Sequence, residues 1–394
     1  MSDPFQLSRR LQERQQQHLY RRRRVLESPQ TAQIQVDGQT LVNFCSNDYL
    51  GLANHPSVIA ALQRAASDAG VGSGASHLVI GHHRFHHALE EALADFVQRP
   101  RALLFSTGFM ANLGVISTLV ERNDVVLEDR LNHASLLDGA LLGRSQLQRY
   151  HHNDVAHLRQ RLQDCAAKRV LVATDAVFSM DGDIAPLPAI ASECTEHGAW
   201  LMVDDAHGFG VLGQDGRGSL DHFKLTVDQV PVYMATLGKA LGTYGAFVAG
   251  SDDLIECLIQ ECRPYIYSTA MPPAVAAATQ ESLRLLQEES WRIPHLQQLI
   301  AQFRSGAQQR GLPVMESPTA IQPLLVGAAD KALQLSSQLQ QRGFLVSAIR
   351  PPTVPQGSSR LRITLSAAHS PEQIESLLNV LQELHSNQEE EPWR

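Results

Sequence analysis

The sequence predicts an α/β protein: a large domain built on a mostly parallel sheet, followed by a smaller α+β domain. Two observations predict it. Short apolar runs of four to six residues alternate with helical stretches from residue 101 to residue 249, the pattern of buried parallel strands joined by crossover helices. Polar, chemistry-bearing residues then follow these runs repeatedly, where open α/β sheets gather ligands at strand carboxyl ends.

Taken in order, residues 5–24 read as an amphipathic helix, with Phe5, Leu7, Leu11 and Leu19 set among Gln and Arg and ending in Arg21, Arg22, Arg23 and Arg24. That basic end is a solvated helix face or an anion site. Residues 31–44 alternate about Asp37-Gly38, the signature of a β-hairpin. The hairpin leads into Ser46-Asn47-Asp48-Tyr49-Leu50-Gly51. Residues 56–69 form a helix. The glycine-rich loop 70–76 follows, and then a histidine-rich run, Gly81-His82-His83-Arg84-Phe85-His86-His87, opens a helix through Phe96. The pairs His82/His86 and His83/His87 have helical metal-ligand spacing, but no acidic third ligand has an evident place. They read as solvent or interface histidines, and no metal is expected.

Strands are predicted at 101–105, 125–127, 170–174, 200–203, 232–235 and 246–249, with a helix over 187–198. A long helix covers 274–289, and Trp291-Arg292-Ile293-Pro294 marks a boundary. Beyond it come a helix to Arg310, strands at 321–326, 344–348 and 360–365, and helices at 331–343 and 371–385. The acidic tail 387–394 reads as mobile. The expected division is therefore an N-terminal segment (1–50), a large domain (51–290) and a small C-terminal domain (291–394).

Composition excludes several function classes. The 394 residues carry a net charge of −8, against a general nucleic-acid binder, and 43% hydrophobic content supports a sizeable core. The five cysteines (Cys45, Cys165, Cys194, Cys257, Cys262) are odd in number and lack a C-x-x-C, which suits a reducing cytosol. The polar start has no apolar core of a secretory signal, and no apolar run is long enough for a membrane span.

The chemistry centres on Thr236-Leu237-Gly238-Lys239-Ala240-Leu241-Gly242 and on Val203-Asp204-Asp205-Ala206-His207. A lysine in a tight, partly apolar setting can lose its proton and become a nucleophile. An aspartate at a strand end is the partner a pyridinium nitrogen needs. A Schiff-base lysine with such an aspartate points to pyridoxal 5′-phosphate, with Lys239 and Asp204 in those roles. A phosphate-binding P-loop fails around Lys239, because Tyr233 stands where a glycine is required and Ala240 where Ser or Thr is. Gly208-Phe209-Gly210-Val211-Leu212-Gly213 fits G-x-G-x-x-G after a strand, but residues 214–218 are turn composition and open no helix. Ser106-Thr107-Gly108-Phe109 at a helix start offers free N–H groups for a phosphate or is an ordinary N-cap. His133, after the 125–127 strand, could lie flat on an aromatic cofactor.

The motifs Ser46-Asn47-Asp48-Tyr49-Leu50-Gly51, Gly72-Ser73-Gly74, Asn132-His133-Ala134-Ser135, Val203-Asp204-Asp205-Ala206-His207-Gly208 and Thr236-Leu237-Gly238-Lys239 occur in order. Together they resemble the α-oxoamine synthases, fold type I pyridoxal phosphate transferases with a seven-stranded-type sheet that condense an amino acid with an acyl thioester. The resemblance runs from about Arg21 to His369. It implies that Lys239 holds the cofactor, Asp204 keeps the ring nitrogen protonated, His207 bonds the phenolic oxygen and His133 stacks on the ring. Gly108 and Phe109 would help bind the cofactor, and Ser179 and Thr236 would add hydroxyl contacts. Arg350 with Asn47 would grip the amino-acid carboxylate, while Arg21 and Thr353 match substrate-contacting positions. Ser268 and Thr269 would reach the phosphate of a neighbouring subunit, since the family is homodimeric. Residues 347–355 look most like the branch that joins L-alanine to a pimeloyl thioester in biotin synthesis. Glycine-using sister enzymes are the alternative.

Overall fold

The computed structural model describes residues 3–386; the tail 387–394 lies outside them. The chain divides into two compact units. One comprises the chain up to Asn47, Met180–Gly182 and the chain from His295 onward; the other comprises Asp48–Ser179 and Asp183–Pro294. The N-terminal stretch, expected as a segment of its own, thus shares a unit with the C-terminal part.

In the unit that includes Asp48–Ser179, seven strands form one sheet: β3 (Arg101–Phe105), β4 (Val125–Asp129), β5 (Gln146–Tyr150), β6 (Val170–Asp175), β7 (Trp200–Asp204), β8 (Val232–Thr236) and β9 (Ala246–Gly250). Their order is β3-β9-β8-β7-β6-β4-β5. All neighbours are parallel except β9, which is antiparallel to both β3 and β8. The inner strands are mostly apolar and turn polar only toward their carboxyl ends, because helices cover both faces of such a sheet. Every residue of β4 and β9 is buried. The packed core includes Phe105, Val115, Ile116, Val126, Met202 and Met234. The helices are α2 (Pro56–Ala69), α3 (Arg84–Phe96), α4 (Gly108–Leu119), α5 (Ala134–Leu142), α6 (Val155–Gln163), α7 (Leu187–Glu196), α8 (Ser219–His222), α9 (Asp252–Glu261), α10 (Arg263–Ile266) and α11 (Pro273–Glu288). A π-helical turn, His77–Gly81, precedes α3.

The other unit holds α1 (Leu7–Gln16), β1 (Gln33–Val36) and β2 (Gln39–Asn43). It also takes α12 (Arg292–Gln309) from His295 onward, β10 (Ile321–Gly327), α13 (Ala329–Gln341), β11 (Phe344–Leu345), β12 (Ser347–Ile349), β13 (Ser359–Thr364) and α14 (Pro371–Ser386). The expected hairpin forms about Asp37 and Gly38, both at positive φ. Its β2 pairs in parallel with β11, giving the order β1-β2-β11, and a second sheet runs β10-β13-β12. The expected strand over 344–348 is therefore two short strands in different sheets. The N-terminal helix is also shorter than expected. It buries no residue and ends at Gln16, and His18 at φ 58° turns the chain away. Arg21–Arg24 lie beyond it, exposed and non-helical.

Candidate active site

Four adjacent strands of the seven-stranded sheet end in polar residues at one edge. β8 ends at Thr236, β7 at Asp204, β6 at Asp175, and His133 follows β4. This is where an α/β sheet receives ligands.

Lys239 sits in the connection between β8 and β9. Thr236 and Ala246 are paired across it, so both ends of the loop are fixed. Gly242 at φ 63° lets the loop pass the Ala53 backbone: a Cβ there would lie 2.3 Å from Ala53 N. Gly210, at φ 84°, likewise admits Ala240, whose Cβ would meet an added Cβ at 2.5 Å. Residues 208–213 therefore pack the lysine loop; they open no long helix, only the single 3₁₀ turn Gln214–Gly216. The Lys239 amine lies 2.8 Å from His207 Nε2, and the Tyr49 hydroxyl lies 2.5 Å from His207 Nδ1. An ammonium donating to Nε2 leaves the proton of a neutral imidazole on Nδ1, facing Tyr49. The buried Tyr49 thus fixes the ring beside the lysine.

Asp204 is 4% exposed. Its Oδ1 accepts from Ala206 N at 2.9 Å and its Oδ2 from Asn112 Nδ2 at 2.6 Å. The same Asn112 group donates to Ser135 Oγ at 2.9 Å, and Ser135 Oγ is 2.7 Å from His133 Nδ1. Ser135 N also donates to His133 Nδ1 at 3.4 Å, so Nδ1 is an acceptor, the Ser135 hydroxyl donates to it, and Nε2 carries the proton. His133 N donates to Asp175 Oδ2 at 2.8 Å. Burial first, and Asp204 second, push the Asp175 carboxyl well above the usual range. Asp205, next to Asp204, does something else: its Oδ2 accepts from Ser219 N at 2.7 Å and from the Tyr233 hydroxyl at 2.8 Å. Burial pushes its pKa up to about 7. Of the two acids at this strand end, Asp204 alone joins the His133 relay.

Residues 108 and 109 open α4 after β3, with Thr107 accepting from Met110 N as the N-cap at 3.1 Å. The Phe109 and His133 rings meet edge to face at 6.4 Å. Thr236 Oγ1 donates to Gly245 O at 3.0 Å and so braces the lysine loop. Ser179 lies on the segment after β6. Thr269 bridges Ser76, which sets the Ser268-Thr269 segment beside the glycine-rich loop.

These residues fit a phosphorylated pyridine aldehyde. A lysine amine, a buried carboxylate held by donors, and the N–H groups and positive dipole of a twelve-residue helix are a donor set for an aldehyde carbon, a protonated ring nitrogen and a phosphate.

The remaining predicted residues lie in the other unit. Arg21 donates to Thr353 Oγ1 at 3.4 Å, and Arg350 donates to the His18 carbonyl. Burial, and Arg21 beside it, lower the Arg350 pKa. Asn47, expected to act with Arg350, is hydrogen-bonded to Arg362 in the fold. Asn47 Oδ1 accepts from both terminal nitrogens of Arg362 at 3.2 Å each, and Arg362 is 7% exposed. Arg362 was not picked from sequence. Residues 360–365 read only as a strand, and the fold makes β13 the buried central strand of its sheet. Asn112, Ser135, Asp175 and Tyr49 were also not assigned roles; each acquires its partner through long-range folding.

The chain matches the model of the aminotransferase class I and II family over residues 39–381. It is 64% identical over 378 residues to 8-amino-7-oxononanoate synthase of Cellvibrio japonicus, covering 96% of this chain and 95% of that protein. Identity to the enzyme of the same name from Stutzerimonas stutzeri is 62%, covering 96% of each. Among solved structures it is similar to Sphingomonas wittichii serine palmitoyltransferase (TM-score 0.91, 32% identity, covering 98% of this chain and 97% of that one). It is also similar to 8-amino-7-oxononanoate synthase from Francisella tularensis (TM-score 0.78, 31% identity, covering 89% and 99%). With the lysine, aspartate and histidines gathered at one sheet edge, the chain belongs to the aminotransferase class I and II family, in the α-oxoamine synthase branch that includes 8-amino-7-oxononanoate synthase.

Proposed function

We propose that this chain is a pyridoxal phosphate-dependent acyltransferase that condenses L-alanine with a pimeloyl thioester, releasing carbon dioxide and the carrier thiol to give 8-amino-7-oxononanoate for biotin synthesis. The observation that carries the reading is the pair of relays, Tyr49–His207–Lys239 and Asp204–Asn112–Ser135–His133, at adjacent strand ends. When bound, pyridoxal phosphate supplies an electron sink for the carbanion formed at the alanine α-carbon. Lys239 holds the cofactor and then, as a free amine, takes the α-proton. His207 orients the amine. Asp204 keeps a positive charge on the ring nitrogen. His133 presents its Nε2–H, a donor for the carbonyl oxygen as charge develops there. Gly108, Phe109, Ser179 and Thr236 complete the cofactor's surroundings.

Asn47 and Arg362 form a carboxylate-binding pair, because a guanidinium fork matches a carboxylate in two parallel bonds. Arg350 is held ready on the loop that also carries Thr353. A substitution of Arg362 by lysine keeps the charge and loses the fork; the KM for alanine should rise roughly 10- to 100-fold, from a charged hydrogen bond of about 1.5–3 kcal/mol. Steady-state kinetics with alanine varied checks this, and an unchanged KM would return the role to Arg350.

The pimeloyl chain ends in a carboxylate, so its site needs a distant cation. A cavity of about 570 Å³ in the unit that carries Arg21 is lined by Arg22, Arg23, Arg24 and Arg350, among others. Arg21→Ala should raise the KM for the pimeloyl thioester by about tenfold or more and leave a straight-chain thioester without the terminal carboxylate little changed. Equal losses on both would assign Arg21 to the carrier or to the fold.

The reading as a whole is tested by a screen of alanine, glycine and serine against pimeloyl, acetyl and palmitoyl thioesters. Preference for glycine with acetyl-CoA would move the protein to a sister enzyme. The active form is a homodimer in the cytoplasm, acting on small molecules, with no nucleic-acid or membrane partner. Val71, Leu78, Val79, Ile80 and Tyr267 are 86%, 51%, 74%, 80% and 71% exposed. The Ser76–Thr269 bridge and the stacking of His77 on Tyr265 set their segments side by side, which gives a second copy an apolar surface. Sedimentation should report a dimer. Among the described residues, no helix is long and apolar enough to cross a membrane.

A further inference from the structure

The histidine-rich run has no part in the chemistry above, and the fold gives it an acid. Ligand atoms of His82, His87 and Glu90 all lie within 4.8 Å of one another. His82 is the residue that ends the π-helical turn, and His87 and Glu90 project from the start of α3. We propose that His82, His87 and Glu90 bind one divalent transition ion of the zinc class.

The orientation of each group supports this. His82 Nδ1 is 2.9 Å from His77 Nδ1, so one ring nitrogen is engaged by a neighbour and Nε2 is turned to Glu90 Oε2 at 3.9 Å. A ligating histidine whose other nitrogen is bonded to a partner is the usual arrangement at zinc, because it fixes tautomer and ring angle. His77 itself is held by stacking on Tyr265, with ring centroids 5.0 Å apart. Glu90 is anchored through Oε1, which accepts from Leu104 N at 2.9 Å, so Oε2 is the oxygen that serves the ion. His87 is exposed and pairs with Glu91 across 3.4 Å, and its ring can turn inward at little cost. A tetrahedral ion with bonds of about 2.0–2.1 Å sets its ligands about 3.3 Å apart, so atoms within 4.8 Å of one another need to close by roughly 1.5 Å at most. The remaining coordination position faces a cavity of about 390 Å³ that all three residues line. Arg101 also lines it, but is turned to Glu256 at 3.3 Å.

A second trio, His77, His82 and His86, is equally compact but unsuited. His86 Nδ1 accepts from His83 N at 2.9 Å and its Nε2 donates to the Met271 carbonyl at 2.7 Å. Both nitrogens are spent on the capping box of α3 and on the segment before α11, leaving no lone pair for a metal. An ion at the first trio would tie the apolar Leu78–Ile80 turn to the helix that follows it.

The test is a titration of metal-stripped holoenzyme with Zn²⁺ by calorimetry and with Co²⁺ by visible absorption. One equivalent per chain is expected, with tetrahedral Co²⁺ bands and a raised melting temperature, and without change in the cofactor's own absorbance. His87→Ala, at an exposed position, should weaken binding by at least about 100-fold. His77→Ala, which removes the residue behind His82, should weaken it about 10- to 100-fold with stoichiometry kept. Glu90→Gln, near in shape, guards against loss through misfolding and should also weaken it. His151→Ala, in a separate histidine pair, should change nothing. The proposal is overturned if wild type takes up no equivalent, if His87→Ala and Glu90→Gln bind as wild type does, or if binding survives His87→Ala but is lost in His77→Ala, which would place the ion on the other trio.

Discussion

Replacing Lys239 with alanine should abolish turnover while leaving the fold intact. Proton transfer by a positioned side chain contributes roughly 10²–10⁴-fold, and loss of the covalent tether adds to that, so kcat should fall by at least about 10³-fold. The loop itself does not depend on the amine. It is held by the Thr236–Ala246 pairing and by the contact of Ala240 with Gly210. Melting temperature should therefore stay near that of wild type, and small primary amines added to the buffer should restore part of the rate. A structural role would show neither pattern. Full activity in this variant would end the assignment of Lys239.

Asp204→Asn should lower kcat by roughly 10²–10³-fold, the range for removing one preorganised electrostatic partner of the transition state. The amide no longer holds positive charge on a ring nitrogen. It also disturbs the relay: a new N–H faces Asn112 Nδ2, which now donates at 2.6 Å. Asn112 must then turn its Oδ1, a buried atom without a hydrogen-bond partner, toward position 204. Ser135 Oγ then loses its Asn112 donor, and the link from position 204 to His133 is broken. Asp205→Asn is the informative contrast. Asp205 braces Ser219 and Tyr233, so its loss should cost about 1–3 kcal/mol of stability and leave kcat near wild type. Urea denaturation and steady-state rates on both variants separate the two acids. Wild-type turnover in Asp204→Asn with a slow Asp205→Asn would exchange their roles.

Much of this was legible in the sequence because the strands carrying the site are buried on both faces. Apolar runs such as Leu201-Met202-Val203 can only be strands or core helix, and their length decides between the two. Lys239 and Asp204 were legible because each breaks such a pattern with a charge. The edge strand β5 carried no comparable signal: Gln146-Leu147-Gln148-Arg149-Tyr150 buries Tyr150 fully and leaves its polar residues outward. The length of α1 was overread because apolar spacing continued to Leu19, whereas the helix buries nothing that would hold its second half. One apolar run at 344–348 serves two sheets, a choice made by the partners β2 and β13 rather than by the run itself. The same reason hid Asn112, Ser135, Asp175 and Arg362. Their chemistry comes from neighbours 23 to 315 residues away, so no local pattern announces it.

The parallel pairing of Val42 with Phe344 has a further consequence, for the order in which the chain is made. During synthesis, the stretch up to Pro294 contains all of the seven-stranded unit, which can consolidate as it emerges. The hairpin of β1 and β2 leaves the ribosome before the seven-stranded unit, yet its third strand arrives about three hundred residues later. Through that interval β2 carries an open edge, with Ile34, Val36 and Leu41 still waiting for Leu345 to join their cluster. A hairpin made before the large sheet is thus finished after it, and a nascent chain halted near residue 300 should present that edge to chaperones or to other chains.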